Sequence, residues 1–197
     1  MTISDAAVAA SVEIVLERGR IVQGLVLDPR GLPVGGAMVS ICPRGSDPSV
    51  GSSAVTDTEG RFSVNVPPDA VLDVLVATED WAPAWIQGWA QDPKSSAGPT
   101  IVVSPGGRVR VEVQDGAGRP IAGVAILALP QSVPASFLSP LNSRVSSTDT
   151  TGRAVLEHLA AGPHVVQAMH TEKIEGVPVN VVEGAEAFVR ITVGGGG

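Results

Sequence analysis

Tyrosine is absent from this 197-residue chain, and only six residues are aromatic, three Trp and three Phe. Without tyrosine no Tyr-ligated iron centre can form. The single cysteine, Cys42, excludes an intrachain disulfide and a thiolate metal cluster. Basic residues are few: 13 Lys and Arg stand against 20 Asp and Glu, a formal net charge of −7. That balance argues against general nucleic-acid binding, which needs cations to displace counterions. No stretch reaches the ~18 consecutive apolar residues of a membrane-spanning helix, so no membrane insertion is expected. Charged residues are 17% of the chain, below the ~25% of an average soluble domain.

Glycine and proline are plentiful, at 23 and 16, which favours frequent turns over long helices. Valine outnumbers leucine by 31 to 12. Two heavy atoms on Cβ suit a pleated sheet and crowd a helix, so the bias favours strands. At 44% hydrophobic the chain is too apolar to stay disordered. Met1–Ala10 carries Asp5 and no basic residue, which is not the pattern of a secretory signal. Ala6–Ala10 reads as a loose lead-in and Gly194–Gly197 as a linker or cut edge, so both ends suggest a piece of a longer chain.

An internal repeat organises the rest. Residues 21–43 and 108–130 match at a shift of 87, through Val22/Val109, Val26/Val113, Asp28/Asp115, Gly31/Gly118, Pro33/Pro120, Gly36/Gly123 and Pro43/Pro130. Thr56-Asp57 and Gly60-Arg61 match Thr148-Asp149 and Gly152-Arg153 at a shift of 92. The second copy therefore holds five extra residues, which fall in the Pro- and Ser-rich segment 130–147, read as a loop.

Within each copy, residues alternate at period two: Val22, Gly24, Val26 and Val109, Val111, Val113 first. Asp28–Gly36 and Asp115–Gly123 are turn chemistry. Ala37–Cys42 and Val124–Leu129 follow as strands. Asp57–Gly60 and Asp149–Gly152 read as hairpin turns in which Gly takes a positive φ. Phe62/Val64/Val66 and Ala154/Leu156/His158 then alternate, as do Leu72/Val74/Val76 and His164/Val166/Ala168. Thr100–Val103 and Phe188–Val193 close the copies. About seven short strands per ~90 residues is the pattern of an antiparallel sandwich. Ser104–Gly107, between the copies, has the length of a turn and not of a flexible linker. Val12–Leu16 stands before Arg20 as Thr100–Val103 stands before Arg108, and reads as the last strand of an absent copy or as part of the first domain.

Two blocks carry a family resemblance. Gly24–Asp28, Gly31–Val39, Thr56-Asp57 and Gly60–Phe62 form the first. Val113–Asp115, Gly118–Val124, Thr148-Asp149, Gly152-Arg153 and Leu159–His164 form the second. They resemble the carboxypeptidase regulatory-like domain family, a transthyretin-like β-sandwich often found in tandem. The resemblance covers residues ~20 to 193. It implies a non-catalytic accessory, spacer or contact module, commonly on surface or secreted proteins. The motif residues are turn formers, so no functional residue is carried over.

Candidate chemistry is sparse. His158, His164 and His170 invite a zinc reading. His164 and His170, however, would lie ~20 Å apart along one strand, and all three read as unrelated, half-exposed side chains. Asp28, Asp57, Asp115 and Asp149 each open a Gly turn, where the carboxylate can bond its own backbone instead of calcium. Related sandwiches form internal isopeptide bonds from a first-strand Lys. Here Lys94 and Lys173 fall in expected loops, and the first strands carry Arg20, Arg108 and Arg110, which cannot supply a neutral amine. Cys42 reads as a small buried hydrophobe. Trp81, Trp85 and Trp89, four apart around the strand-breaking Pro83, are the unusual feature. On an extended edge strand Trp85 and Trp89 would share a face ~13 Å apart, a spacing suited to stacking on a polysaccharide. Alternatively the three cap the sandwich edge or the domain junction.

The sequence thus predicts an all-β protein of two tandem antiparallel Greek-key-type sandwiches, transthyretin-like or Ig-like. Residues 1–11 are the lead-in, 12–104 the first sandwich, 105–193 the second and 194–197 the tail. No nucleophile–base–acid set or metal cluster emerges, so neither an enzyme nor a cofactor is expected. The favoured role is a structural or interaction module contacting a protein partner or neighbouring domains of its own chain. A polysaccharide-binding module using Trp85 and Trp89 is the alternative, with Trp81, Trp85 and Trp89 as the candidate ligand-binding residues. An extracytoplasmic or cell-surface setting is implied by the resemblance alone.

Overall fold

The computed structural model describes residues 19–46, 51–90, 98–133, 143–170 and 173–193. Val12–Leu16, Lys94, the Gly194–Gly197 tail and residues 134–142 lie outside the described residues; the segment 130–147 is not wholly a loop, because Arg144–Ser147 pairs as a strand. Among the described residues there is no helix, and none long and apolar enough to cross a membrane.

The strands are β1 (Arg20–Leu27), β2 (Met38–Pro43), β3 (Ser52–Val55), β4 (Arg61–Val66), β5 (Leu72–Ala77), β6 (Ala84–Trp89) and β7 (Thr100–Val102) in the first copy. The second holds β8 (Gly107–Asp115), β9 (Ala125–Pro130), β10 (Arg144–Ser147), β11 (Arg153–Leu159), β12 (Gly162–His170), β13 (Lys173–Val181) and β14 (Glu186–Val193). Each copy builds a three-stranded and a four-stranded sheet. The orders are β4-β1-β7 with β3-β2-β5-β6, and β11-β8-β14 with β10-β9-β12-β13. The two copies have one topology, as the repeat requires. Lys173 begins β13 and is not in a loop.

Two expectations change. The sandwiches are not wholly antiparallel, because the first and last strand of each copy pair in parallel, β1 with β7 and β8 with β14. The Asp57–Gly60 and Asp149–Gly152 turns are not hairpins either. β3 and β4 belong to different sheets, as do β10 and β11, so each turn carries the chain across the sandwich. The expected left-handed glycines are present, with Gly60 at φ 72° and Gly152 at φ 73°. A Cβ on Gly60 would fall 2.4 Å from the Val26 carbonyl, and on Gly152 2.6 Å from that of Val113. Glycine is therefore demanded by conformation and by space together.

Period-two valines fill two separate cores, one drawn from Val22 to Val103 and the other from Val109 to Val193. Each fully buried Val or Ile contributes about 1.5–3 kcal/mol relative to exposure. A buried threonine clasps each sandwich. Thr56 Oγ1 accepts from the Ala37 amide at 2.9 Å and donates to the Val34 carbonyl at 2.7 Å. Thr148 Oγ1 repeats this with the Val124 amide at 2.9 Å and the Ile121 carbonyl at 2.8 Å. Gly36 and Gly123, at φ 76° and 72°, donate to the Thr56 and Thr148 carbonyls at equivalent places.

Candidate functional site

The four repeat aspartates spend their carboxylates on their own turns. Asp28 Oδ1 accepts from the amides of Arg30 and Leu32, and Asp57 Oδ1 from those of Glu59 and Arg61. Asp115 Oδ1 accepts from Ala117 and Arg119, and Asp149 Oδ1 from Thr151 and Arg153. The pattern is one i+2 and one i+4 amide each time, the local bonding that Asp favours in turns. At Asp28, burial pushes the carboxyl pKa up, but the Leu32 and Arg30 hydrogen bonds outweigh it and the net shift is downward. The Arg119 amide and the Thr151 hydroxyl lead the lowering at Asp115 and Asp149.

The histidines separate. His158 sits on an irregular stretch of β11 at φ 55°, with Nδ1 3.2 Å from the Pro105 carbonyl. His164 is buried, not half-exposed, because it shares the core face of β12 with Val166 and Ala168. His170 ends the same strand. Among the described residues no three His, Cys, Asp or Glu side chains gather as a metal site. Cys42 is buried, its thiol facing the Pro43 and Ser46 carbonyls at 3.4 and 3.8 Å.

The tryptophans are divided by a β-bulge. β5 pairs with the edge strand β6 through Val76↔Ala84, Leu75↔Trp85 and Val74↔Ile86, and then through Leu72↔Trp89. One extra residue therefore lies on β6 between Ile86 and Trp89. Gly88 absorbs it at φ 68°, its amide held by Asp73 Oδ1 at 2.7 Å. Alternation is reset at the bulge. Ala84, Ile86 and Trp89 all pack on the first core, as does Trp81, while Trp85 takes the opposite face. Trp85 and Trp89 thus do not share a face, and the flat platform on which the polysaccharide reading rests does not form. A glycine immediately before an aromatic on an edge strand was the available signal.

Trp85 instead meets the second domain. With Pro83 it lines a cavity completed by Pro130, Ser132, Val133, Leu159, Ala160, Ala161 and His164. Burial lowers the His164 pKa from its reference of 6.5, against a smaller opposing effect of the Gly162 carbonyl 3.1 Å from Nδ1.

At the junction beside this cavity one side chain bonds across the two domains. Arg144, on β10, donates from Nη2 to the carbonyls of Thr78 and Trp81, each at 2.8 Å. The connecting turn is anchored on either side: in the first domain the Ala82 amide donates to the Ser104 carbonyl at 2.8 Å, and in the second the Gly184 amide donates to that of Gly106 at 2.9 Å. Gly106, at φ 69°, lies so close that a Cβ would stand 2.7 Å from Ala82 Cβ and 2.4 Å from the Leu159 carbonyl. Burial lowers the Arg144 pKa, while Asp80 and Glu79 work to raise it. Arg144 had no signal in the sequence, since its partners lie 66 and 63 residues away.

The outer face of β11-β8-β14 is laced with ion pairs: Arg153 and Arg190 hold Glu112 at 3.0 and 2.9 Å, and Arg110 holds Glu186. Arg190 also lies over the Phe188 ring, 5.6 Å from its centroid.

No family model and no curated protein matches the chain. Among solved structures it is similar to GBS52, the minor pilin of Streptococcus agalactiae, at 14% identity and a TM-score of 0.46, over 88% of this chain and 95% of that one. It is similar to a streptococcal ancillary pilin at 15% identity and a TM-score of 0.38, over 98% of this chain and 68% of that one. A third likeness is to the shaft pilin SpaA of Lactobacillus rhamnosus GG, at 10% identity and a TM-score of 0.34, over 91% of this chain and 98% of that one. No residue role is carried over from these proteins.

Proposed function

We propose that the chain is a non-catalytic, two-domain structural module of the carboxypeptidase regulatory-like, transthyretin-like type. It holds two sandwiches at a set angle and serves as a spacer or protein-contact surface between neighbouring parts of a larger chain or assembly. The observation that carries this reading is the Arg144 clasp on the Thr78 and Trp81 carbonyls. A charged donor placed on two backbone acceptors of another domain resists bending, since each such bond contributes about 1.5–3 kcal/mol. The tight seat of Gly106 against Ala82 acts in the same direction. The repeat aspartates also support a structural role, because their carboxylates are committed to turns.

The test is ¹⁵N relaxation on the whole chain. Both domains are expected to tumble with one diffusion tensor. A six-residue Gly/Ser insertion between Pro105 and Gly106 is expected to give each domain its own correlation time. Independent tumbling of the unmodified chain would defeat the spacer reading.

A further inference from the structure

Between Trp85 of the first domain and His164 of the second lies a cavity of about 300 Å³. Dry apolar cavities of ~150 Å³ accept a benzene ring, and small-molecule pockets begin near ~300 Å³. This space therefore suits one ring or two fused rings. Its lining is mainly apolar: Trp85, Pro83, Pro130, Val133 and Leu159 present ring and aliphatic carbon.

Among the polar residues of that lining, Ser132 and His164, the histidine is the one that can accept through a ring nitrogen. The His164 side chain is 3% exposed. Its Nδ1 faces the Gly162 carbonyl, which can only accept, so the proton resides on Nδ1. Burial favours the neutral ring. Nε2 is then a lone-pair acceptor, and among the described residues nothing donates to it. An acceptor that lines the cavity and takes no hydrogen bond from the described residues is open to a ligand that brings the donor.

We infer that this interdomain cavity binds a small, neutral, planar aromatic molecule carrying one hydroxyl or N–H donor. The donor bonds His164 Nε2, and the ring lies among Trp85 and the two prolines. Charged aromatics are disfavoured, because among the lining residues no side chain offers a counter-charge.

The experiment titrates the ¹⁵N-labelled full chain with phenol, with toluene as the matched ring lacking the donor. Phenol is expected to give saturable shifts at the Trp85 indole N–H and at the Ala160 and Ala161 amides. It should bind about tenfold more tightly than toluene, the ratio that one hydrogen bond supplies. In His164→Leu, phenol affinity should fall to the toluene level. Three results would overturn the inference: no saturable shift below ~10 mM, shifts centred elsewhere, or equal affinities for phenol and toluene. Should His164→Leu fail to fold, the phenol-to-toluene ratio and the shift map of the unmodified chain decide the matter.

Discussion

Gly24 and Phe62 face each other across β1 and β4, and the Phe62 ring occupies the space where a Gly24 Cβ would be. A Cβ there would stand 2.3 Å from Phe62 Cζ. In the second domain the same paired positions are Val111 and Ala154. The bulk has changed sides of the ladder while the site stays filled, as a close-packed interior requires.

This exchange predicts a rescue. Gly24→Val alone overpacks the first core and should cost about 2–3 kcal/mol. Phe62→Ala alone opens a cavity and should cost about 3–4 kcal/mol. The double variant copies the paired residues of the second domain and removes the ring clash, though not the 2.7 Å approach to the Pro99 carbonyl, so its loss should be below the sum of the two. A double-mutant cycle by urea unfolding measures the coupling, and simple additivity would contradict the exchange.

The threonine clasps should be equivalent. Thr56→Val and Thr148→Val keep the shape but strand a buried amide and a carbonyl. Each is expected to destabilise its own domain by about 1–3 kcal/mol. Calorimetry that resolves the two domains checks that each substitution shifts only one transition.

Trp89 and Trp85 should respond differently to truncation. Trp89 packs on the first core, so Trp89→Ala is expected to lower the stability of that domain by about 2–4 kcal/mol. Gly88→Ala should disturb the same contact, because Gly88 is left-handed and a Cβ there would meet the Arg44 guanidinium at 2.4 Å. Trp85→Ala removes a cavity wall and should cost less. Equal losses for Trp85→Ala and Trp89→Ala would mean that the bulge does not separate their faces.

Stability should depend on pH through His164. Its folded pKa is below the unfolded reference of 6.5, so the unfolded chain binds the proton more readily. The contribution is fully present above ~6.5 and is lost as pH falls through the folded pKa. Between pH 8 and pH 5 the second domain's melting temperature should fall, and His164→Gln should flatten that part of the profile. The turn carboxylates of Asp28, Asp115 and Asp149 are also held below their ordinary range, so their contribution is lost only at more acid pH.

Arg144→Ala should loosen the interdomain angle without unfolding either sandwich. Residual dipolar couplings that fit one alignment tensor in the unmodified chain should need two in the variant. Arg144→Lys should restore part of the restraint, because both bonds leave the single nitrogen Nη2 and an ammonium can also donate twice.

The strands, the turns and the repeat were legible in the amino-acid order because each rests on neighbours. Period-two valines such as Val109, Val111 and Val113 declare a half-buried strand, and Asp149 with Gly152 declares a turn whose bonds span four residues. What the order of residues could not declare was which sheet each strand would join. The parallel closure of β1 by β7 and the passage of Asp57–Gly60 between sheets depend on pairing across the whole domain. The site was decided by tertiary structure for the same reason. One bulge residue at Gly88 reverses the face of Trp89. Burial of His164 is set by the sandwich around it, and Arg144 finds its acceptors 66 and 63 residues away in another domain. Local stereochemistry acts over a few residues, whereas faces, burial and long-range hydrogen bonds exist only once the chain has packed.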